Sequence, residues 1–267
     1  AIVWGWTRMA TDMPVTGIRA RSARLSAADM SGAVAQPDIV PTPSPNFGPR
    51  RQGALPDMVV LHYTAMENAR TALERLCDAA AEVSAHYLIC EAGTVWQMVD
   101  EEQRAWHAGA GQWGDVRDVN SRSIGIELAN TGAHPFPEPQ MQALEALLQG
   151  VMRRWSIPAT RIIGHSDMAP DRKSDPGPRF DWQRLALRGL SIWPRSGGEP
   201  GDFLQDAVRF GYAVPDGMNG EAALDLILPA FRQRFRPWAS GGLEATDRAL
   251  MADLAARFPV DRAARDA

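Results

Sequence analysis

The sequence predicts an α/β fold, a mixed central sheet flanked by helices, followed by a small three-helix C-terminal bundle. Three observations predict it. Apolar runs of strand length at 58–64, 123–130 and 161–163 alternate with segments of helical period, the pattern of an open sheet wrapped by helices. The longest helical segment, 139–155, aligns Met141, Leu144, Leu147, Leu148, Val151 and Met152 on one side. Beyond residue 201 the strand pattern stops and only helical periodicity remains.

The elements follow in order. Residues 1–44 lack periodicity and run into Pro41-Thr42-Pro43-Ser44-Pro45, a stiff linker composition, so a loosely ordered N-terminal segment is expected. The opening Ala1-Ile2-Val3-Trp4-Gly5-Trp6 has neither the charged start nor the length of a secretory apolar region, so no intact signal peptide is visible. The run Met58-Val59-Val60-Leu61-His62-Tyr63-Thr64 reads as a buried strand, and helical spacing follows from Asn68 to Cys77. A hairpin is expected from 86–90 and 94–99 around Glu91-Ala92-Gly93. Next come a strand at 123–130, the 139–155 helix, a short strand at 161–163, and a helix at 182–190 capped by Asp181. Ser196-Gly197-Gly198-Glu199-Pro200-Gly201 then divides a domain at 45–196 from one at 201–267. In the latter, helices at 203–212, 221–235 and 244–258 are punctuated by Gly211, Gly220 and Gly241-Gly242.

Composition bounds the function. With 267 residues, 45% hydrophobic and 22% charged, the chain supports one sizeable core and a small second domain. A net charge of −4 with no basic run argues against a nucleic-acid partner, and no apolar stretch has membrane-spanning length. Cys77 and Cys90, the two cysteines, lack metal-site spacing and read as packing residues without a disulfide.

The chemistry-bearing residues concentrate in Gly164-His165-Ser166-Asp167-Met168-Ala169-Pro170-Asp171-Arg172-Lys173-Ser174-Asp175-Pro176-Gly177-Pro178. Zinc hydrolases hold their metal with three ligands from His, Asp, Glu and Cys, leaving the fourth position to water. His165 and Asp175 supply two. Lys173, at i−2 from Asp175, shares its side of an extended loop. His62, closing the first apolar strand, is the third candidate ligand, because strand ends are where open α/β sheets place their chemistry. Glu127, an acid between Ile126 and Leu128, is the candidate base, since burial raises a Glu pKa into the useful range. Taken singly, each has a plain structural alternative: a hydrogen-bonded strand-end histidine, a half-exposed edge-strand acid, a solvated Lys173–Asp175 pair. Their joint order along the chain favours one convergent site.

Five stretches, Val60-Leu61-His62-Tyr63-Thr64-Ala65, Val83-Ser84-Ala85-His86-Tyr87-Leu88-Ile89, Arg104-Ala105-Trp106-His107-Ala108-Gly109, 120–128 and 164–178, carry a family resemblance over 45–193. They resemble the zinc-dependent N-acetylmuramoyl-L-alanine amidases of the AmpD and AmiD type. The resemblance implies zinc on His62, His165 and Asp175, Glu127 as acid/base and Lys173 as oxyanion stabiliser. Relatives with a Tyr before the second motif's histidine and a Cys as third ligand form another branch; here those positions hold Ala85 and Asp175. The implied reaction is attack of activated water on the lactyl carbonyl of muramic acid, with release of the L-alanine nitrogen and no acyl-enzyme. Tyr63, His86, Trp106 and His107 are candidate substrate-groove residues, His86 with a structural role as the stronger alternative. His107 is read as a groove residue because a fourth protein ligand would close the position that water needs.

The stretch from Gly220 to Pro237 resembles the peptidoglycan-binding module of AmiD-type amidases, with Arg232 interrupting the pattern between Phe231 and Gln233. If the bundle is a wall-binding module, truncation before about residue 201 is expected to leave cleavage of small muropeptides intact; a structural buttress is the alternative, since Phe and Leu at helical spacing commonly form core. The partner implied is peptidoglycan or its fragments, and the compartment a bacterial periplasm or envelope, with cytoplasm as the alternative. A catalytically silent wall-recognition protein is the competing class; it lacks the ligands or the acid/base, and all five residues are present here. Deaminase and peptidase zinc motifs (His-x-Glu with Cys-x-x-Cys; His-Glu-x-x-His) do not occur.

Overall fold

Strand β3 (Met58–Tyr63) is the axis of the molecule, fully buried over its first five residues. The structure, a computed structural model, describes residues 37–260. Around β3 the central sheet assembles β1 (Ile39–Pro41), β4 (Tyr87–Ile89), β5 (Val95–Gln97), β7 (Ser123–Leu128) and β8 (Ile162–Gly164) in the order β1-β5-β4-β7-β3-β8. The β4–β5 hairpin pairs antiparallel and the other neighbours pair parallel. A separate ladder joins β2 (Phe47–Pro49) to β6 (Gln103–Ala105). The mixed α/β class expected from the sequence is the class observed.

Strand alternation sorts the core into two layers. Val59 and Leu61 of β3 pack with Ile124, Ile126 and Leu128 of β7 against helix α3 (Glu138–Trp155), through its Leu144, Leu147, Leu148 and Val151. Met58 and Val60 face the other way, toward Trp113, Ile163 and three C-terminal helices: α6 (Phe203–Phe210), α7 (Gly220–Phe235) and α8 (Ala245–Arg257). On β7 the residues of that second face are Ser123, Gly125 and Glu127.

Local signals account for the helix ends. Helix α1 (Ala69–Cys77) starts where Asn68 Oδ1 accepts from Thr71 N at 2.9 Å. A short helix α2 (Val119–Arg122) leads directly into β7, and α4 (His165–Met168) follows directly on β8. Asp181 caps α5 (Trp182–Leu187), accepting from Arg184 N at 2.9 Å. That helix stops short of the expected Leu190 because Gly189 turns left-handed (φ 71°) and Leu190 N returns to Leu185 O.

One expectation needs correction, and two features of the C-terminal helices add to the sequence reading. Residues 37–44, read as part of a loose linker, are built into the fold: Ile39–Pro41 pairs with β5, and the buried Ser44 hydroxyl donates to Leu76 O at 2.6 Å. The expectation for residues 1–36 lies outside the described residues. The C-terminal helices pack directly on the central sheet. Residues 37–260 belong to one compact unit, and Phe203, Phe210, Phe231, Phe235, Met251 and Leu254 share a continuous apolar cluster with β3. Arg234 of α7 reaches through that interface to Asp167 Oδ2 (2.7 Å) and Ile162 O (2.9 Å). Finally, the Arg232 that interrupts the module-like pattern is a buried clamp within the bundle, with Nη2 2.5 Å from Asp247 Oδ2 and further bonds to the Gly241 and Gly242 carbonyls. Cys77 and Cys90 are both free thiols.

Candidate active site and metal centre

Parallel pairing brings the C-terminal ends of three adjacent strands to one edge, and the candidate residues lie there. In register, His62 sits opposite Glu127, and Leu61 opposite Gly164, so His165 emerges beside His62 as the chain leaves β8. Asp175 returns to the same point because Ser166 N bonds Asp175 O at 2.9 Å, folding the 169–175 turn back over α4.

The donor atoms converge. His62 Nδ1 lies 2.9 Å from His165 Nδ1, and each lies 3.0 Å from Asp175 Oδ2. All three residues are buried, at 1%, 3% and 7% exposure, which removes water as the usual partner of such groups. On His165 the opposite nitrogen is committed, Nε2 donating to Ala108 O at 2.9 Å, so Nδ1 presents a lone pair to the triangle. Burial first, and the neighbouring His165 imidazole second, push His62 down to about 4, against the pull of Asp175. Burial pushes the Asp175 carboxyl up, but the two imidazoles against it outweigh this and hold it well below the usual carboxylate range. Two imidazoles and an ionised carboxylate with converging donor atoms fit a divalent cation of the zinc type.

Glu127 lies beside this triangle in the same cavity. Its Oε2 is buried and has no hydrogen-bond partner in the protein, and its pKa is pushed up to about 8, by burial first and by Asp175 second, with Lys173 opposing. An unpartnered, buried carboxyl oxygen lining a cavity makes Glu127 a candidate for proton transfer.

The cavity has a volume of about 410 Å³. Its lining holds His62, Glu127, His165, Lys173 and Asp175, together with three of the four expected groove residues, Tyr63, Trp106 and His107. The Tyr63 hydroxyl lies 3.1 Å from Ser174 Oγ, steadying the rim. His86 is the exception. It is fully buried and absent from the lining; its Nδ1 accepts from Gly125 N (2.9 Å) and its Nε2 faces Gln103 O (3.1 Å) and Arg50 Nη2 (3.3 Å). It ties the start of β4 to β7 through Gly125. Sequence reading missed Arg75, Leu76, Met66 and Val83 on the opposite wall, where α1 and the following loop close the cavity.

Comparison with known proteins identifies the family. A family model of N-acetylmuramoyl-L-alanine amidase matches residues 52–178. The N-acetylmuramoyl-L-alanine amidase AmiD of Escherichia coli K12 is 33% identical over 87% of this chain and 95% of its own length. The 1,6-anhydro-N-acetylmuramyl-L-alanine amidase AmpD of the same organism is 43% identical over 39% of this chain and 57% of its own. Among solved structures, E. coli AmiD, in complex with the substrate anhydro-N-acetylmuramic acid-L-Ala-D-γ-Glu-L-Lys, superposes with a TM-score of 0.69 at 34% identity, over 79% of this chain and 93% of that one. AmpDh3 of Pseudomonas aeruginosa, in complex with anhydromuramic pentapeptide, gives 0.70 at 27% identity, over 92% and 100%. On the extent of the AmiD match, the chain belongs to the N-acetylmuramoyl-L-alanine amidase family.

Proposed function

We propose that the amidase reaction of this chain, hydrolysis of the amide between the lactyl group of N-acetylmuramic acid and L-alanine, is carried out at the His62–His165–Asp175 centre with zinc as cofactor. The observation that carries the reading is the triangle of three buried donor atoms, with edges of 2.9–3.0 Å, beside a carboxyl oxygen that has no partner. When bound, zinc supplies a Lewis acid that polarises an amide carbonyl and acidifies water enough for attack near neutral pH. The chain supplies the rest. Glu127, whose proton affinity sits near neutrality, takes the proton of the attacking water at its free Oε2 and delivers it to the departing alanine nitrogen. Lys173, exposed on the cavity rim, sets its positive charge against the oxyanion that develops on the carbonyl. Tyr63 and Trp106 line the cavity and orient the sugar and stem peptide.

The substrates are muropeptides, including anhydro-muropeptides, and the compartment is the bacterial envelope. Among the described residues no helix is long and apolar enough to cross a membrane. Digestion of purified anhydro-muropeptide and of insoluble wall, with mass analysis, tests the reading. Free stem peptide and intact sugar are expected from the zinc-loaded enzyme and neither from the chelated one. Product release unaffected by chelation, or cleavage at another bond, refutes it. Wall binding by the C-terminal helices is the second part of the proposal. Trp238, 72% exposed just after α7, is the side chain to remove, and sedimentation with wall should fall in Trp238→Ala while cleavage of soluble muropeptide holds.

A further inference from the structure

We propose that His107 and Ser123 are positioning residues for the metal centre: a directed hydrogen-bond relay that fixes the tautomer and ring orientation of His62. The inference rests on the reading of His62 as a metal ligand.

The direction of the relay follows from its far end. The Val119 carbonyl can only accept, and the Ser123 hydroxyl lies 2.6 Å from it, so Ser123 donates there. Its oxygen is then free to accept from His107 Nε2, 3.2 Å away. With its proton on Nε2, His107 presents a lone pair at Nδ1, 3.0 Å from His62 Nε2. His62 donates from Nε2, and its Nδ1 is left as a lone pair facing His165 and Asp175. The reverse direction would place a proton on His62 Nδ1, pointing into the donor triangle and excluding a metal.

Two further observations show that the arrangement is built. Gly125, between Ser123 and Glu127 on the same face of β7, makes room for the ring: a Cβ there would come within 2.4 Å of His107 Cγ. The loop carrying His107 is pinned by Asn120 Oδ1, which accepts from the backbone N–H groups of His107 (3.1 Å) and Ala108 (2.9 Å). Since the Ala108 carbonyl accepts from His165 Nε2, two consecutive residues of one pinned loop orient both histidines. Orienting partners of this kind are commonly worth about 10–100-fold in metal affinity or activity.

The test measures zinc affinity of the purified full chain by competition with a chromophoric chelator, and the visible spectrum of the Co²⁺-substituted protein, for wild type, Ser123→Ala, His107→Phe and His107→Asn. Ser123→Ala leaves the relay undirected and His107→Phe removes it, so both should weaken zinc by about 10–100-fold and alter the Co²⁺ spectrum. His107→Asn, whose Oδ1 can accept from His62 Nε2, should recover much of the affinity, a rescue that a merely space-filling role would not produce. Circular dichroism of each apo variant shows whether it folds, and Gly125→Ala, which displaces the ring, stands in for any that does not. If wild type binds no zinc, the metal reading itself fails. If wild type binds zinc and the folded Ser123→Ala and His107→Phe variants bind it within twofold as tightly, the relay is overturned.

Discussion

Replacing Arg234 with methionine should unfold the protein at lower temperature and loosen the metal centre, although Arg234 lies on a helix that contributes no proposed ligand. The Arg234 guanidinium is 2.7 Å from Asp167 Oδ2, and both side chains are almost completely buried. It also lies over the Trp182 ring at 4.4 Å. Removing one partner of a buried ion pair costs roughly 3–5 kcal/mol, because the other charge is left in a poor solvent. Here Asp167 keeps two donors, Gly164 N and the Tyr212 hydroxyl, each at 2.8 Å, which places the loss toward the lower figure. At about 2–4 °C per kcal/mol for a domain of this size, Tm should fall by about 6–12 °C. Asp167 lies two residues after His165 and ties down the start of α4, so zinc affinity should fall in parallel. Thermal unfolding and chelator competition on Arg234→Met, Asp167→Asn and the double variant measure both effects. The double variant should be less destabilised than the sum of the singles, since the unpaired charge is gone. A Tm loss under about 2 °C, or strict additivity, would refute the reasoning.

Three further predictions follow from the same geometry. Glu127→Gln should retain zinc and lose about 10²–10⁴-fold in turnover, measured by stem-peptide release, whereas His62→Ala, His165→Ala and Asp175→Ala should each lose the metal, measured by elemental analysis. His86 is held neutral, pushed down from 6.5 to about 3 by burial first and by the Arg50 guanidinium second, so the unfolded chain binds its proton more readily than the fold does. The stability contributed by neutral His86 is therefore full above pH 6.5 and is lost as pH falls toward 3, up to about 5 kcal/mol at 1.36 kcal/mol per unit; urea midpoints that stay flat from pH 6.5 to 4 contradict it. Truncation before residue 201 exposes the apolar face formed by Met58, Val60, Ile163 and Met168 and should yield aggregated or unfolded protein, a result that size-exclusion chromatography and circular dichroism distinguish from an active, monodisperse catalytic core.

The candidate site was legible only jointly: a histidine closing an apolar strand, an acid inside another, and a Pro-bounded loop with His, Lys and Asp each have a structural alternative, and it was their order along the chain, with the family resemblance, that singled them out; the structure brings them into one cavity. The hairpin at Glu91-Ala92-Gly93 and the caps at Asn68 and Asp181 were legible singly, each resting on a local rule that tertiary packing has no cause to override. The packing of the C-terminal helices was not legible, because Gly/Pro composition at 196–201 marks a turn, and a turn does not say whether the next helices pack on the domain or away from it. The opposing signal was Arg234, a charge placed next to Phe235 within an apolar stripe, which finds its partner in Asp167 of the site motif.

The 123–128 strand holds the sharper lesson. Read as an apolar run interrupted by one acid, it yields Glu127 and nothing more. Read with the period of two that a strand imposes, Ser123-Ile124-Gly125-Ile126-Glu127-Leu128 separates into Ile124, Ile126 and Leu128 on one face and Ser123, Gly125 and Glu127 on the other. A buried parallel strand facing only packed apolar side chains has no reason to alternate in this way, since both its faces are normally aliphatic. A face made of a hydroxyl, a missing side chain and a carboxyl therefore announces something other than a hydrophobic layer above it. The structure fills that face with His107 above Gly125, with Ser123 bonded to the same ring, and with Glu127 in the cavity beside His62. The deviation from the expected pattern, more than the acid alone, is the mark of the site, and a strand's two faces are best read separately before any residue in it is judged an exception.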